Sequence, residues 1–525
     1  MLDLTQSLQG RDLGHLRIIA ELWGIELSAP DARVGLLRLV PALLDKERLA
    51  DVITDLPPEA RQALDDLMRH GGLLPWAVFA RRYGSVREMG PGRRDRDRPY
   101  LNPVSPAEAL WYRALVGRNF LDTPRGPEEM AYIPEDLAAL LPVLGDARPQ
   151  PLGRLASLAE HQAPIPANDR ILDHACTVLA AMRLGQPIEA LELAWNTLPY
   201  PLTPRPLANL LAAAGLTGPD NLPLAEPTRA FLEAPRGEAL AFLARAWLNS
   251  TMFNELRSLP GLSAEGDWQN DPLRTRQIVL DLLSTLPGGE EEADTKQPGA
   301  GPHHASQARR PYWSLNAFVA AVRQAQPDFQ RPAGDYDSWF LRDVHSGEFL
   351  RGFAHWDKVD GALLRYMITG PLHWLGIVDL AAPEKNAPAA AFRFSCWAPD
   401  LLHGKAPAGL EAETEPVQVS SEGRLFVPRL APRVTRYQIA RFTEWEGESG
   451  GVYRYRVTPA ALKRARQQGL RASHLLALLR RQAPSVSPSL ARALERWEER
   501  GSEARLERLL HHLSGSPVMF GCDHV

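Results

Sequence analysis

Apolar residues recur at helical spacing over most of the chain. In HLRIIAELWGI, Leu16, Ile19 and Trp23 share one helical face, and ARVGLLRLVPALL repeats the pattern, so residues 1–55 read as a helical N-terminal segment. Residues 57–72 (PPEARQALDDLMRHGG) open on prolines and close on Gly-Gly, which are helix start and stop signals. LPWAVFARRYG follows as a second short helix. Ser105-Pro106-Ala107-Glu108 opens a third: Ser105 caps, Pro106 suits the first helical position, and Glu108 completes a capping box.

The period then drops from 3.6 to about 2. Asn119–Asp122 and Ala131–Pro134 read as short strands around the polar turn TPRGPEEM. Three helices followed by a two-stranded hairpin is the winged-helix order, a helix-turn-helix variant. Residues 152–286 return to helices: ILDHACTVLAAMRLG, PIEALELAWNTL, RPLANLLAAAG, GEALAFLARAWLNS and PLRTRQIVLDLLSTL are five amphipathic segments with no fixed repeat length.

The helix–hairpin pattern recurs twice. VDGALLRYMITGPLHWLG runs into IVDL and FRFS, then into the proline-led start Ala398-Pro399-Asp400-Leu401. RFTEWE and VYRYRV flank Gly450-Gly451, and Thr458-Pro459 starts the next helix. The first unit has the same ending, Ile133-Pro134-Glu135. This fits triplicated winged-helix-like units, although proline at helix starts is common enough to produce such a likeness by chance.

The expected fold class is therefore mainly α with small α+β units, in a multi-domain chain of winged-helix-like units plus a helical middle domain. The polar stretch 287–311, PGGEEEADTKQPGAGPHHASQARRP, has no apolar period and reads as a disordered linker. Weaker breaks fall at 145–151 and 404–416. The expected domains are 1–55, 56–145, 151–286, 312–404 and 416–515. Five tryptophans lie between 313 and 397, and Trp374 sits among apolar neighbours, so core packing is their expected role.

Composition changes the picture in three places. The 525 residues suit several domains. Cys176, Cys396 and Cys522 are too far apart for a zinc ribbon or a disulfide framework, which fits a reducing, cytoplasmic setting. The N-terminus lacks a signal-peptide pattern, and no stretch approaches the roughly 18 uncharged apolar residues of a membrane span, so no membrane partner is expected. Of the 59 basic residues only six are lysine, a bias that genomic base composition suffices to explain.

The distribution of that charge says more. The net charge is −4, yet seven arginines against three acids give +4 over 81–98, and residues 433–508 carry +8. Segregated basic stretches are the electrostatic footprint of nucleic-acid binding. Arg93, Arg94, Arg96, Arg98 and Arg125, on the hairpin turn, are candidate phosphate ligands. Arg454, Arg456, Lys463, Arg464, Arg466, Arg480 and Arg481 form a second candidate group. In the stretch RALERWEERGSEARLERLL, however, Arg and Glu alternate as on a solvated helix face.

Catalytic chemistry has no foothold. None of the six lysines follows a G-x-x-x-x-G-K-[ST] glycine pattern, and there is no G-x-G-x-x-G after a strand, H-E-x-x-H or G-x-S-x-G. Asp335-Tyr336-Asp337 with Asp343 reads as a solvated loop before a helix SWFLRD, and Cys522-Asp523-His524 offers too few metal ligands. No cofactor is expected, and the chain reads as a non-enzyme.

At residues 417–501 the segment VQVSSEGRLFVP, then RFTEWEGESGGVYRYRVTPAALKRARQQGL, a further helix, a proline-containing spacer and a helix reaching Trp497, resembles the helicase-associated domain family related to the N-terminal region of XPB-type DNA helicases. The likeness covers about 85 residues, and YRVTPAALKRARQQGL carries most of it. The resemblance implies a DNA-associated accessory role in repair or transcription, beside a separate helicase or similar partner. The chain holds no motor motif, so helicase activity is not implied, and no catalytic residue carries over. The other reading is a protein-interaction scaffold that uses the helical middle and the Trp-rich region without touching nucleic acid.

Overall fold

A computed structural model describes residues 2–123, 126–141, 151–187, 191, 202–287, 310–332 and 334–500. The expected linker lies almost wholly outside them, as do Arg125, nearly all of the segment PIEALELAWNTL, and the terminal Cys522 and His524. The fold is mainly α with small antiparallel sheets. It divides into two compact units, residues 1–150 with 331–338, and residues 151–330 with 339–525.

The first unit starts with α1 (Leu4–Leu8), α2 (Leu13–Leu22), α3 (Ala32–Leu43) and α4 (Lys46–Thr54). Each begins after an aspartate, Asp3, Asp12, Asp31 or Asp45, whose carboxylate accepts the N–H three residues on. A cap of this kind is worth about 1 kcal/mol. Next come α5 (Pro58–Arg69), β1 (Leu73–Pro75), α6 (Trp76–Tyr83), α7 (Pro91–Asp97), α8 (Pro106–Trp111), β2 (Gly117–Thr123), β3 (Gly126–Tyr132) and α9 (Glu135–Ala138). The helices bury Leu16, Ile19, Leu39, Leu64, Phe79 and Leu110 in one core. Gly117 is required where it stands, because a Cβ there would meet the Tyr132 ring at 2.4 Å.

The second unit contains β4 (Ala163–Ile165), α10 (Arg170–Arg183), α11 (Pro204–Ala213), α12 (Ala225–Glu233), α13 (Arg236–Asn249), β5 (Leu262–Ala264) and α14 (Pro272–Ser284). These are followed by β6 (Trp313–Ser314), α15 (Leu315–Ala325), β7 (Leu341–Asp343), α16 (Ala362–Met367), β8 (Val378–Ala382), β9 (Ala391–Phe394) and α17 (Ala398–Leu402). The last elements are β10 (Gln418–Val419), β11 (Arg424–Pro428), α18 (Arg433–Ile439), β12 (Glu444–Ser449), β13 (Val452–Arg456), α19 (Pro459–Gln467), α20 (Ala472–Gln482) and α21 (Pro488–Arg500). One-turn π segments flank α16; the second holds Pro371, which has no N–H to continue an i→i−4 ladder.

One pairing scheme occurs three times. A strand leads into helix, the chain returns as a hairpin, and the second hairpin strand inserts between the first strand and its own partner. The resulting orders are β1–β3–β2, β6–β9–β8 and β11–β13–β12, all antiparallel. Short edge strands extend the second and third sheets, β4 beside β8 and β10 beside β11. A proline-led helix, α9, α17 or α19, follows each hairpin.

The structure departs from the sequence reading at several points. Residues 91–97 form α7, and neither α7 nor α12 has a counterpart among the expected helices. The segment SWFLRD is not a helix: Leu341–Asp343 is a strand paired with β5, and Asp335 accepts from the Ser338 N–H and hydroxyl. Ser105 caps α8 as expected, at 3.0 Å from the Glu108 N–H. The Glu108 carboxylate does not complete a capping box. It turns instead to Arg87 at 2.7 Å and to the Val104 N–H at 2.9 Å. Of the five tryptophans, Trp313, Trp339, Trp356 and Trp374 are buried, as core packing requires, and Trp397 is half-buried. Among the described residues, no helix is long and apolar enough to cross a membrane, and no group of three or more His, Cys, Asp or Glu is placed to hold a metal.

Candidate nucleic-acid interface

Most arginines of the first unit's basic stretch meet carboxylates, several of them from outside the stretch. Arg94 is buried, gripping Asp12 with both terminal nitrogens at 2.7 and 2.8 Å and holding Asp95 as well. Its hydrogen bond keeps the Asp12 carboxyl well below the usual carboxylate range. Arg94 is thus a structural ion-pair partner rather than a surface phosphate ligand, because Asp12, far upstream in sequence, claims its fork. Arg93 and Arg96 are exposed but share Asp97 at 3.1 and 3.2 Å. Arg98 is exposed and ends α7 in the left-handed region, at φ 44°. Arg87 is drawn to Glu108. Burial would raise the Glu108 carboxyl, but Arg87 and two backbone N–H groups outweigh it and hold the carboxyl low.

In the second unit, strand alternation sorts β13 cleanly. Tyr453 and Tyr455 are buried, while Arg454 and Arg456 stand on the outer face. Arg456 lies opposite Glu444 and Arg424 in the ladder, and Glu446 comes within 3.4 Å of Arg456 and 3.8 Å of Arg424. Arg454 faces Gly447 and Phe426, so no acid opposes it in the ladder. On α19, Ala461, Leu462 and Ala465 face inward, leaving Lys463 and Arg466 exposed. Arg464 is half-buried and donates to the Thr443 carbonyl. On α20, Arg480 sits 3.5 Å from Glu495, and Arg481 lines a cavity. Among the described residues, Arg454, Lys463, Arg466 and Arg481 have no carboxylate within 4 Å.

Two arrangements had no signal in sequence. The first is a buried ionic network between α10, α13 and the segment 411–436. Arg236 meets Asp169 at 2.5 Å, Asp173 at 2.9 Å and Glu413 at 2.9 Å. Arg433 joins Glu413 at 2.6 Å, and Arg429 joins Asp169 at 2.9 Å and also Glu411. Arg436 donates to the Asp173 carbonyl and to Thr177, and lies 3.8 Å from the Tyr453 ring centre. The segment 411–436 is thereby locked onto the helical residues before it. The second arrangement is the cavity that Arg481 lines, where Arg183 and Arg441 also arrive from distant parts of the chain.

Comparison with known proteins bears on the C-terminal part of this unit. No curated protein matches the chain. Residues 417–515, under a fifth of the chain, match the family model described as a helicase conserved C-terminal domain. The sheet β10–β11–β13–β12 with α18 to α21 therefore lies in a helicase-related domain.

Proposed function

We propose that this chain is a non-enzymatic, DNA-binding accessory protein of the cytoplasm that works beside a separate helicase in repair or transcription. One observation carries the reading: the helicase-related domain turns Arg454, Lys463 and Arg466 outward with no carboxylate on them among the described residues. Cations left unpaired in this way are the ones free to release counterions from a phosphate backbone. The recurring strand–helix–hairpin scheme supports a winged-helix reading of the three units, with each hairpin as a wing. The resemblance of residues 417–501 to the family related to the N-terminal region of XPB-type helicases supports the partner class. The sequence lacks a P-loop, so the motor would be supplied by that partner.

A titration of labelled duplex DNA at low salt, followed by fluorescence anisotropy, tests the proposal. Saturable binding that weakens steeply with salt is expected; absence of binding at low salt overturns it.

A second reading, a protein-interaction scaffold, is favoured by one patch. Phe340, Phe349 and Phe353 are exposed, and Arg351 stacks over Phe340 at 4.6 Å and over Phe349 at 5.5 Å. Exposed aromatics with arginine are the composition of binding hot spots. A partner captured by the wild type despite nuclease treatment, and absent from captures with a Phe349→Ser/Arg351→Ser variant, would establish it. Capture that nuclease abolishes would exclude it.

A further inference from the structure

A cavity of about 630 Å³ opens between the end of α10, α12, α18 and α20. Its wall is mixed in character: Leu232, Leu470 and Leu478 supply apolar surface, and Arg183, Arg441 and Arg481 supply positive charge. The guanidinium of Arg183 lies 5.1 Å from the Tyr437 ring centre. Among the described residues, Arg441, one turn beyond Tyr437, gives only a long bond of 3.3 Å from Nη1 to Gln438, and its buried Nε makes no hydrogen bond.

The fold pairs three of its most buried arginines directly with acids. Arg236, Arg276 and Arg433 each meet a carboxylate within 3 Å. Arg183 and Arg441 have none within 4 Å among the described residues. Of the two acids on the cavity wall, Glu233 is taken by Arg229 at 2.9 Å, and Glu226 is exposed. Burial pushes the Arg441 guanidinium below its usual value, and the Arg183 charge adds to that push. Two like charges in a part-enclosed space are unfavourable until an anion joins them. The guanidinium fork matches phosphate oxygens in pairs. The leucine wall beside it offers a surface for a ring, and the volume is in the range of small-molecule sites.

We propose that this cavity binds a nucleoside phosphate, with Arg183 and Arg441 holding the phosphate and the leucines packing against the base. The phosphate belongs either to a free mononucleotide or to the 5′ end of a strand. The site is separate from the outward cations Arg454, Lys463 and Arg466.

Thermal unfolding of the full chain tests this with AMP, pyrophosphate, adenosine and a 5′-phosphorylated oligonucleotide, all at matched ionic strength. AMP and pyrophosphate are expected to raise the Tm saturably, by a few degrees when in large excess over Kd, and adenosine is not. Arg441→Gln should weaken binding at least tenfold while leaving the Tm without ligand unchanged or higher, since it removes a like charge. Arg183→Gln should do the same and serves where the first variant fails to fold. Lys463→Ala should keep the full AMP response. A rise with AMP but not with the oligonucleotide assigns the site to free nucleotide, and the reverse assigns it to a strand end. No saturable rise with either, or an unchanged AMP response in both arginine variants, overturns the proposal. So does a Tm without ligand several degrees lower in both variants, which would make the arginines structural.

Discussion

Replacing Arg236 by Met should destabilise the second unit far more than its single charge suggests. The Arg236 side chain is 1% exposed and makes five hydrogen bonds, to the carboxylates of Asp169, Asp173 and Glu413 and to the Asp169 carbonyl. Methionine approximates its volume but offers no donor. Removing one member of a buried ion pair costs about 3–5 kcal/mol, because the other charge stays in the interior unpaired. Here Arg429 stays 2.9 Å from Asp169 and Arg433 stays 2.6 Å from Glu413, so those two acids keep partners. Among the described residues, Asp173 is left with Arg429 at 3.5 Å as its remaining ion-pair partner. The lower end of the range, about 3 kcal/mol, is therefore expected. Urea unfolding followed by tryptophan fluorescence reads it out, since Trp247, Trp356 and Trp374 all lie in this unit. Arg229→Met is the internal control. Its pair with Glu233 is 65% and 46% exposed, so water and salt screen it and its loss should leave the urea midpoint nearly unchanged. Replacing Asp173 by Leu in the Arg236→Met background should recover part of the stability, because the uncompensated carboxylate is then gone. A destabilisation below about 1 kcal/mol, matching the control, would refute the reasoning.

Three further outcomes are expected. Burial lowers His15 and His174 to about 4, so the folded state keeps them neutral while the unfolded chain protonates near 6.5. Stability should be full above pH 6.5 and fall between 6.5 and 4 by about 1.4 kcal/mol per pH unit for each, and a urea-midpoint profile of His174→Gln should show a shallower decline in the second unit. Glu108→Gln should cost about 1.5–3 kcal/mol by weakening its charged hydrogen bonds to Arg87, read as a lower thermal midpoint for the first unit. Gly117→Ala should cost about 1–3 kcal/mol in the same assay by driving a methyl group into the Tyr132 ring.

Much of the local structure could be read from sequence wherever a physical signal was concentrated in a few neighbouring residues. Gly450-Gly451 between two alternating runs marks the β12–β13 hairpin, and Ser105-Pro106 marks the start of α8. The element α7 escaped because PGRRDRD has no apolar period; Pro91 starts it and ion pairs to Asp12 and Asp97 brace it. The strand β1 escaped because three residues are too few to show alternation. The candidate sites were harder for the same reason. A count of charge over 81–98 cannot see that Asp12 reaches Arg94 from far upstream in the chain. Nor can any local window bring Arg183 together with Arg441, or Arg236 together with Glu413. By contrast, the outward placement of Arg454 and the inward placement of Tyr453 follow from the period of two in VYRYRV alone.

The salt dependence of duplex DNA binding, compared between the wild-type chain and an Arg454→Ala/Lys463→Ala/Arg466→Ala variant, tests the central claim most directly. Every phosphate that the variant no longer neutralises should reduce the slope of log K against log salt by about 0.9. The variant should bind more weakly to every duplex sequence tried, with a slope shallower by roughly 2–3 when all three cations meet phosphate. Equal affinity and equal slope in the two proteins would contradict the claim.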